Sequence, residues 1–287
     1  MKPGSGRFVG SEMGDAIPQI GHAQHRISAI RSPFRIFASV QFALWFRELK
    51  TRYAGSRLGW VWSILEPLSM VAFFSVIMGA NASALVAGID YPVYVLVGFT
   101  FYGLVMDSIT AGLGAIDSNR GLFVYRQVKP FDVVVARVVQ GGLIDVFIMV
   151  LLLGLGAWVG YDVIPGDTLL VFMWLAVAVA FGFGLGLAAA VMSVVYPESK
   201  RIAPIITRPF FFISAVFVPL NAIPEEYRPW LLWNPLLHLM ELVRQAWWPH
   251  FPLDEGITPV MVWFPGLVVL ALALLAYRRY REHLVSE

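Results

Sequence analysis

Long apolar stretches constrain this chain more than any other feature. They run from Leu58 to Ala80, Pro92 to Leu113, Val133 to Gly160, Thr168 to Tyr196, Ile202 to Leu220 and Pro259 to Tyr277. Each is close to the ~20 apolar residues that a helix needs to cross a hydrocarbon core about 30 Å thick. The fifth is interrupted by Arg208-Pro209. Of the 287 residues, 58% are hydrophobic and 14% are charged, against about 25% charged in a soluble domain. A soluble fold of this length could not hide so much apolar surface. In lipid the backbone of such a run must satisfy its own polar groups, which selects helices. The expected fold class is therefore an all-α polytopic membrane protein with about six transmembrane helices.

The charges orient the spans. With the N-terminus inside, nineteen Lys and Arg residues fall on the cytoplasmic side, leaving only Arg228 and Arg244 outside. Such an asymmetry fixes topology, so both termini are expected in the cytoplasm. No short basic segment leads directly into an apolar run and a cleavage site, so no cleaved signal peptide is expected. The chain has no cysteine, which excludes a disulfide framework, a thiolate metal site and a catalytic thiol.

Three further segments are not spans. Residues 1–32 are rich in Gly, Ser and Pro without hydrophobic periodicity and read as a disordered cytoplasmic tail. Within residues 33–57, the apolar run from Ile36 to Phe46 is only eleven residues long, about 17 Å as a helix. It is followed by Arg47, Lys50 and Arg52, and reads as a helix lying on the cytoplasmic interface. The remainder, 58–287, is the transmembrane domain. Inside it, residues 222–252 are too apolar for a solvated loop. They are also too broken, by Pro229, Pro235, Glu241 and Arg244, to span. Two short re-entrant helices are expected there, with protein or water covering their free backbone groups. Gly182, Gly184 and Gly186 have the spacing of close helix contact.

Soluble-enzyme chemistry is missing. None of the four lysines, Lys2, Lys50, Lys129 and Lys200, follows a glycine, so there is no phosphate-binding loop. There is no His-Glu-x-x-His pair, no Asp-x-Asp pair and no nucleophile elbow. No catalytic residue, no metal and no nucleic-acid partner is expected, and if the chain is ATP-driven, another subunit binds the nucleotide.

Several residue groups do carry chemistry, each with two readings. The inner loop from Asp117 to Lys129 mixes Leu122, Phe123 and Tyr125 with Arg120, Arg126 and Lys129. It can dock apolar anchors on a cytosolic partner or sit on the headgroups. Glu66, Asp107 and Asp145 lie inside spans, where a carboxylate is costly; they line a pathway or tie helices together. Trp60 and Phe210-Phe211-Phe212, like the outer tryptophans, either stack on sugar rings or form belt and core. The basic run Arg47, Lys50, Arg52 and Arg57 either anchors to anionic lipid or admits an anionic lipid-linked substrate.

Three strings resemble one family. Leu58-Gly59-Trp60-Val61-Trp62-Ser63-Ile64-Leu65-Glu66-Pro67 looks like the start of the first span in ABC-type polysaccharide export permeases. Gly121-Leu122-Phe123-Val124-Tyr125-Arg126-Gln127-Val128-Lys129-Pro130 is similar to the segment after their second span. Leu231-Leu232-Trp233-Asn234-Pro235-Leu236, with His238, Glu241 and Arg244, resembles their outer re-entrant segment. The branch it most resembles is that of the KpsM-type permeases of group 2 capsule systems. The resemblance implies a type II ABC exporter transmembrane domain in the bacterial inner membrane. It also implies a second copy of the chain and two nucleotide-binding ATPase subunits that hold ATP and Mg. A periplasmic polysaccharide co-polymerase and a lipid-linked acidic capsular polysaccharide complete the expected partners. The loop near 117–129 becomes the coupling helix, with Asn119, Arg120, Leu122, Phe123, Tyr125, Arg126 and Lys129. The helix of 33–57 becomes the cytoplasmic gate. Arg47, Lys50, Arg52, Arg57, Trp60, Glu66, Arg208 and Phe210 to Phe212 become candidates for the substrate path. Trp233, Asn234, Pro235, His238, Glu241 and Arg244 mark the outer segment. The alternatives are another surface glycan (O-antigen or teichoic acid) on the same scaffold, or a proton-coupled secondary transporter using the acids of the spans.

Overall fold

The computed structural model describes residues 33–54, 58–78, 86, 88–125 and 127–286. The tail 1–32, together with Arg57 and Arg126, lies outside them, and the side chain of Arg52 is likewise undescribed. Among the described residues the fold is entirely helical. The interfacial helix is α1, Pro33–Ala54; α2 is Gly59–Met78, α3 Tyr91–Ala115, α4 Pro130–Val159 and α5 Thr168–Val195. A shorter α6 covers Ser199–Ile213, then come α7, Arg228–Leu231, α8, Pro235–Trp247, α9, Val260–Tyr280, and α10, His283–Ser286.

Five helices, α2, α3, α4, α5 and α9, are long and apolar enough to cross a membrane, making this a multi-pass membrane protein. The expected fifth span differs. The chain remains helical through Arg208-Pro209 and stops after Ile213. Beyond it the backbone turns back, with Ala215 at φ 57°, a left-handed conformation that disfavours a Cβ-bearing residue by about 1–2 kcal/mol. Side chains from α8 hold that reversal, which explains why the helix ends there rather than at its prolines.

Helix ends follow local chemistry. Asp167 caps α5 by accepting from the Leu170 N–H at 2.9 Å, one of the four donors a helix start leaves open. Pro130 begins α4 at a position where no N–H is needed. Gly160 ends it at φ 104°, as a left-handed terminus requires.

The centre is α3 packed on α5 and α4, with α9 laid against α5. In the most apolar stretch of α3, 78% of residues are buried, against 6% for α2, so α3 is the core helix and α2 stands at the edge. The glycines of α5 make the close packing possible. A Cβ on Gly182 would meet the Leu104 carbonyl oxygen at 2.3 Å, and one on Gly186 would meet the Ser108 carbonyl oxygen at 2.7 Å. A Cβ on Gly184 would instead press on the backbone of Leu270 at 3.1 Å. Residues i and i+4 share a helix face while i+2 lies away from it. The run thus serves α3 with its outer two glycines and α9 with its middle one.

Candidate functional site: an inner loop network and an outer buried clamp

At one end of the bundle, α3 passes into a short 3-10 helix, Asp117–Leu122. Asn119 is buried there and acts as a hub. Its amide donates to Glu48 Oε1 at 3.0 Å and to the Ala115 carbonyl at 2.9 Å, and its oxygen accepts from Arg47. Arg47 also reaches the Ser118 carbonyl at 3.2 Å. Arg137 of α4 donates to the Gly114 carbonyl at 2.6 Å, bonds to Ser118, and lies 3.9 Å from Glu48. Asp117 pairs with Arg120 at 3.1 Å and with Lys200 at the start of α6. The Lys200 hydrogen bond holds the Asp117 carboxyl below its usual range, helped by Arg120 and opposed by partial burial. One short loop is thereby bonded to α1, α4 and α6 at once.

The loop's apolar residues divide. Leu122 and Phe123 pack against the inner core cluster, whereas Val124 and Tyr125 are 84% and 64% exposed. Lys129 is exposed beside the start of α4. Outward-facing Val124 was not singled out from the sequence, because composition does not say which way a loop side chain turns.

Of the expected path residues, Arg47 is engaged by the loop, while Lys50, Trp60, Glu66 and Arg208 are exposed. Phe210 and Phe211 pack inward, Phe211 edge-on to Tyr102 at 5.0 Å, but Phe212 is 70% exposed. Glu66, Asp107 and Asp145 come together. All three line a cavity of about 530 Å³ that also takes in Arg47, Glu48 and Arg137. Among the described residues no set of three His, Cys, Asp or Glu side chains is placed to hold a metal ion.

At the opposite end, α8 is almost wholly buried. Asn234 caps it, accepting from the Leu236 N–H at 3.0 Å, with Pro235 in the first turn. The same amide donates to Ser214 Oγ at 2.9 Å and the Ile213 carbonyl at 3.2 Å, so one side chain finishes α6 and starts α8. His238 accepts from the Thr258 N–H through Nδ1 at 3.1 Å and therefore donates through Nε2 to the Leu232 carbonyl at 2.8 Å. Arg244 has no exposed surface. It donates to the Ala215 and Val216 carbonyls at 2.6 and 2.7 Å, approaches Glu241 at 3.4 Å, and lies 3.7 Å over the Tyr94 ring. Trp233, by contrast, is 82% exposed. Asn234 and Arg244 clamp the reversal after α6, His238 ties Leu232 to Thr258, and Trp233 alone of the six is exposed.

The comparisons agree with this architecture. Residues 40–248 match the family described as ABC-2 type transporter. Over 257 residues the chain is 34% identical to the polysialic acid transport protein KpsM of Escherichia coli, covering 89% of this chain and 99% of that one. It is 28% identical over 214 residues to the O-antigen export system permease protein RfbA of Myxococcus xanthus, covering 71% of this chain and 78% of the relative. It is 26% identical over 239 residues to the capsule polysaccharide export inner-membrane protein BexB of Haemophilus influenzae, covering 81% and 86%. With the family match spanning most of the chain and KpsM aligned along nearly its whole length, the chain belongs to the ABC-2 type transporter family of membrane proteins.

Proposed function

We propose that the chain is the permease subunit of an ATP-driven exporter that moves a glycolipid-anchored acidic capsular polysaccharide across the bacterial inner membrane. It performs no covalent chemistry itself; ATP and Mg sit on two nucleotide-binding subunits. Two copies of the chain line the channel, and a periplasmic co-polymerase receives the polymer.

The observation that carries this reading is Arg208. It is exposed on α6, a helix that buries none of its residues, nine positions past Ser199 and so about 14 Å along the axis. A cation that deep and facing lipid is costly; facing a water-filled path between two copies, it is hydrated and attracts an acidic polymer. Phe212 on the same helix and Trp60 and Trp62 on α2 are exposed as well, offering ring faces for sugars. The E. coli relative is named for transport of polysialic acid, an acidic sugar polymer, and the H. influenzae relative for capsule polysaccharide export, and both names support the cargo class. The M. xanthus relative keeps O-antigen as the second reading.

Coupling follows from the loop network. An ATPase that grips Val124 and Tyr125 pulls on a turn whose hydrogen bonds reach α1, α4 and α6, so α1 and the path helix α6 move with it. ATP on the partner then biases inward and outward channel states by stabilising one over the other.

Two measurements test this. Purified gently from its native membranes, the chain should bring a phosphate-binding-loop ATPase in about equal amount, and deleting its gene should strand a lipid-linked acidic glycan inside the cell. Solitary purification with no nucleotide dependence would instead favour a proton-coupled path through the carboxylate cavity. Topology is accessible because the chain lacks cysteine. Ile164→Cys should label with an impermeant maleimide in intact spheroplasts, and Gln127→Cys only after lysis; the reverse pattern overturns the proposed orientation.

A further inference from the structure

A cavity of about 680 Å³ lies between the first residues of α4 and the end of α9, well within the size of small-molecule sites. Its wall is apolar, made by Phe131, Leu274 and Tyr277, with the Phe131 and Tyr277 rings 5.6 Å apart. Its rim is basic: Lys129, Arg278 and Arg281 outnumber the lining carboxylate Glu282 and the buried Asp132, which lies behind Lys129 and accepts from its backbone N–H at 3.1 Å. All three cations are exposed. The ion pairs among the described residues use none of them.

We infer that this groove binds one anionic phospholipid, its phosphodiester held by Arg278, Arg281 and Lys129 and the upper part of an acyl chain laid along Leu274, Tyr277 and Phe131. A soluble anion has no use for the apolar wall, and a neutral lipid has none for an excess of cations. A phospholipid matches both, in the right order along the helix. Leu274 and Arg281 are seven positions apart, about 10 Å of axial rise, enough to pass from the headgroup level through an interfacial layer about 5–7 Å thick and into the upper acyl chain. Both walls also end at a membrane surface, since α4 and α9 are spanning helices and the groove lies at the start of one and the finish of the other. Basic pockets between spanning helices are where anionic headgroups lodge. The lipid would bridge α4 and α9 beside the loop that ends at Lys129, fixing the base of α4 while the loop moves. This inference needs only the multi-pass fold, not the choice of cargo.

The test uses the full chain with its ATPase partner in nanodiscs of phosphatidylcholine containing a minor fraction of phosphatidylglycerol. After transfer to detergent, native mass spectrometry counts the lipid retained. Wild type should keep phosphatidylglycerol in preference to phosphatidylcholine. The pair Arg278→Gln and Arg281→Gln should lower that retention roughly tenfold or more. Leu274→Trp, which fills the groove and leaves every charge in place, should do the same. Arg279→Gln, just off the rim, should retain lipid as wild type does. If the arginine pair fails to fold, Leu274→Trp decides alone. Equal retention of the two lipids by wild type, or retention by Leu274→Trp equal to that of wild type, overturns the proposal.

Discussion

Arg244→Ala is expected to cost about 3–5 kcal/mol of stability, the scale of breaking a buried ion pair from one side. Against the roughly 5–15 kcal/mol that holds a typical domain, little folded protein should survive purification. The loss has three sources. The Ala215 and Val216 carbonyls lose their donors, Glu241 stays buried at 1% exposure without its cation, and the Tyr94 ring loses the guanidinium above it. Arg244→Lys should be nearly as damaging, because a point charge cannot serve two carbonyls, a carboxylate and a ring at once. Glu241→Gln should be milder, since Arg244 keeps both backbone carbonyls and the Tyr94 ring and the amide oxygen can still accept from it. Thermal unfolding in detergent, with size-exclusion profiles, checks the series. An Arg244→Ala protein that melts with wild type would show that the reversal after α6 holds itself.

That expectation depends on a contact hidden in the sequence. Asn234-Pro235 is readable as a helix start, and the positions of the long helices follow from apolar run length. The double use of the glycines in α5 is half readable, because spacing announces close contact but not the neighbour. The role of Arg244 is not readable, since its partners lie 28 and 29 residues away on a backbone turn that no residue type announces. Asn119 is hidden in the same way. Within the docking motif it looks like a surface polar residue, yet it is buried and bonded to Glu48, 71 positions distant. Both residues share one feature that residue type does not announce, which is burial against distant partners. Polar residues in a membrane protein invite a functional reading, and here their first task is to satisfy backbone groups that lipid cannot. The carboxylates of the spans went the other way. Separate in sequence, Glu66, Asp107 and Asp145 share one cavity, which no single-helix pattern reveals.

The same division between inward and outward residues sharpens the coupling assignment. Val124→Asp with Tyr125→Ala is expected to release the ATPase subunit while leaving the membrane domain folded. Central apolar anchors of an interface contribute about 2 kcal/mol or more when truncated, so the pair should weaken association by roughly 30-fold or more. Polysaccharide export should fall in step. Stability should hold, because both side chains are exposed and the network around Asn119 uses neither. Phe123→Ala makes the contrast. Phe123 packs on the inner core cluster, so its loss should lower the melting temperature of the isolated chain as well as the affinity. Co-purification and thermal unfolding of both variants separate the roles. If the Val124 and Tyr125 variant retains its ATPase while Phe123→Ala loses it, the inward face of the loop carries the contact, and the loop must turn over on docking. If both retain it, the ATPase grips the chain elsewhere, and the bonds from this loop to α1, α4 and α6 brace the bundle without transmitting motion.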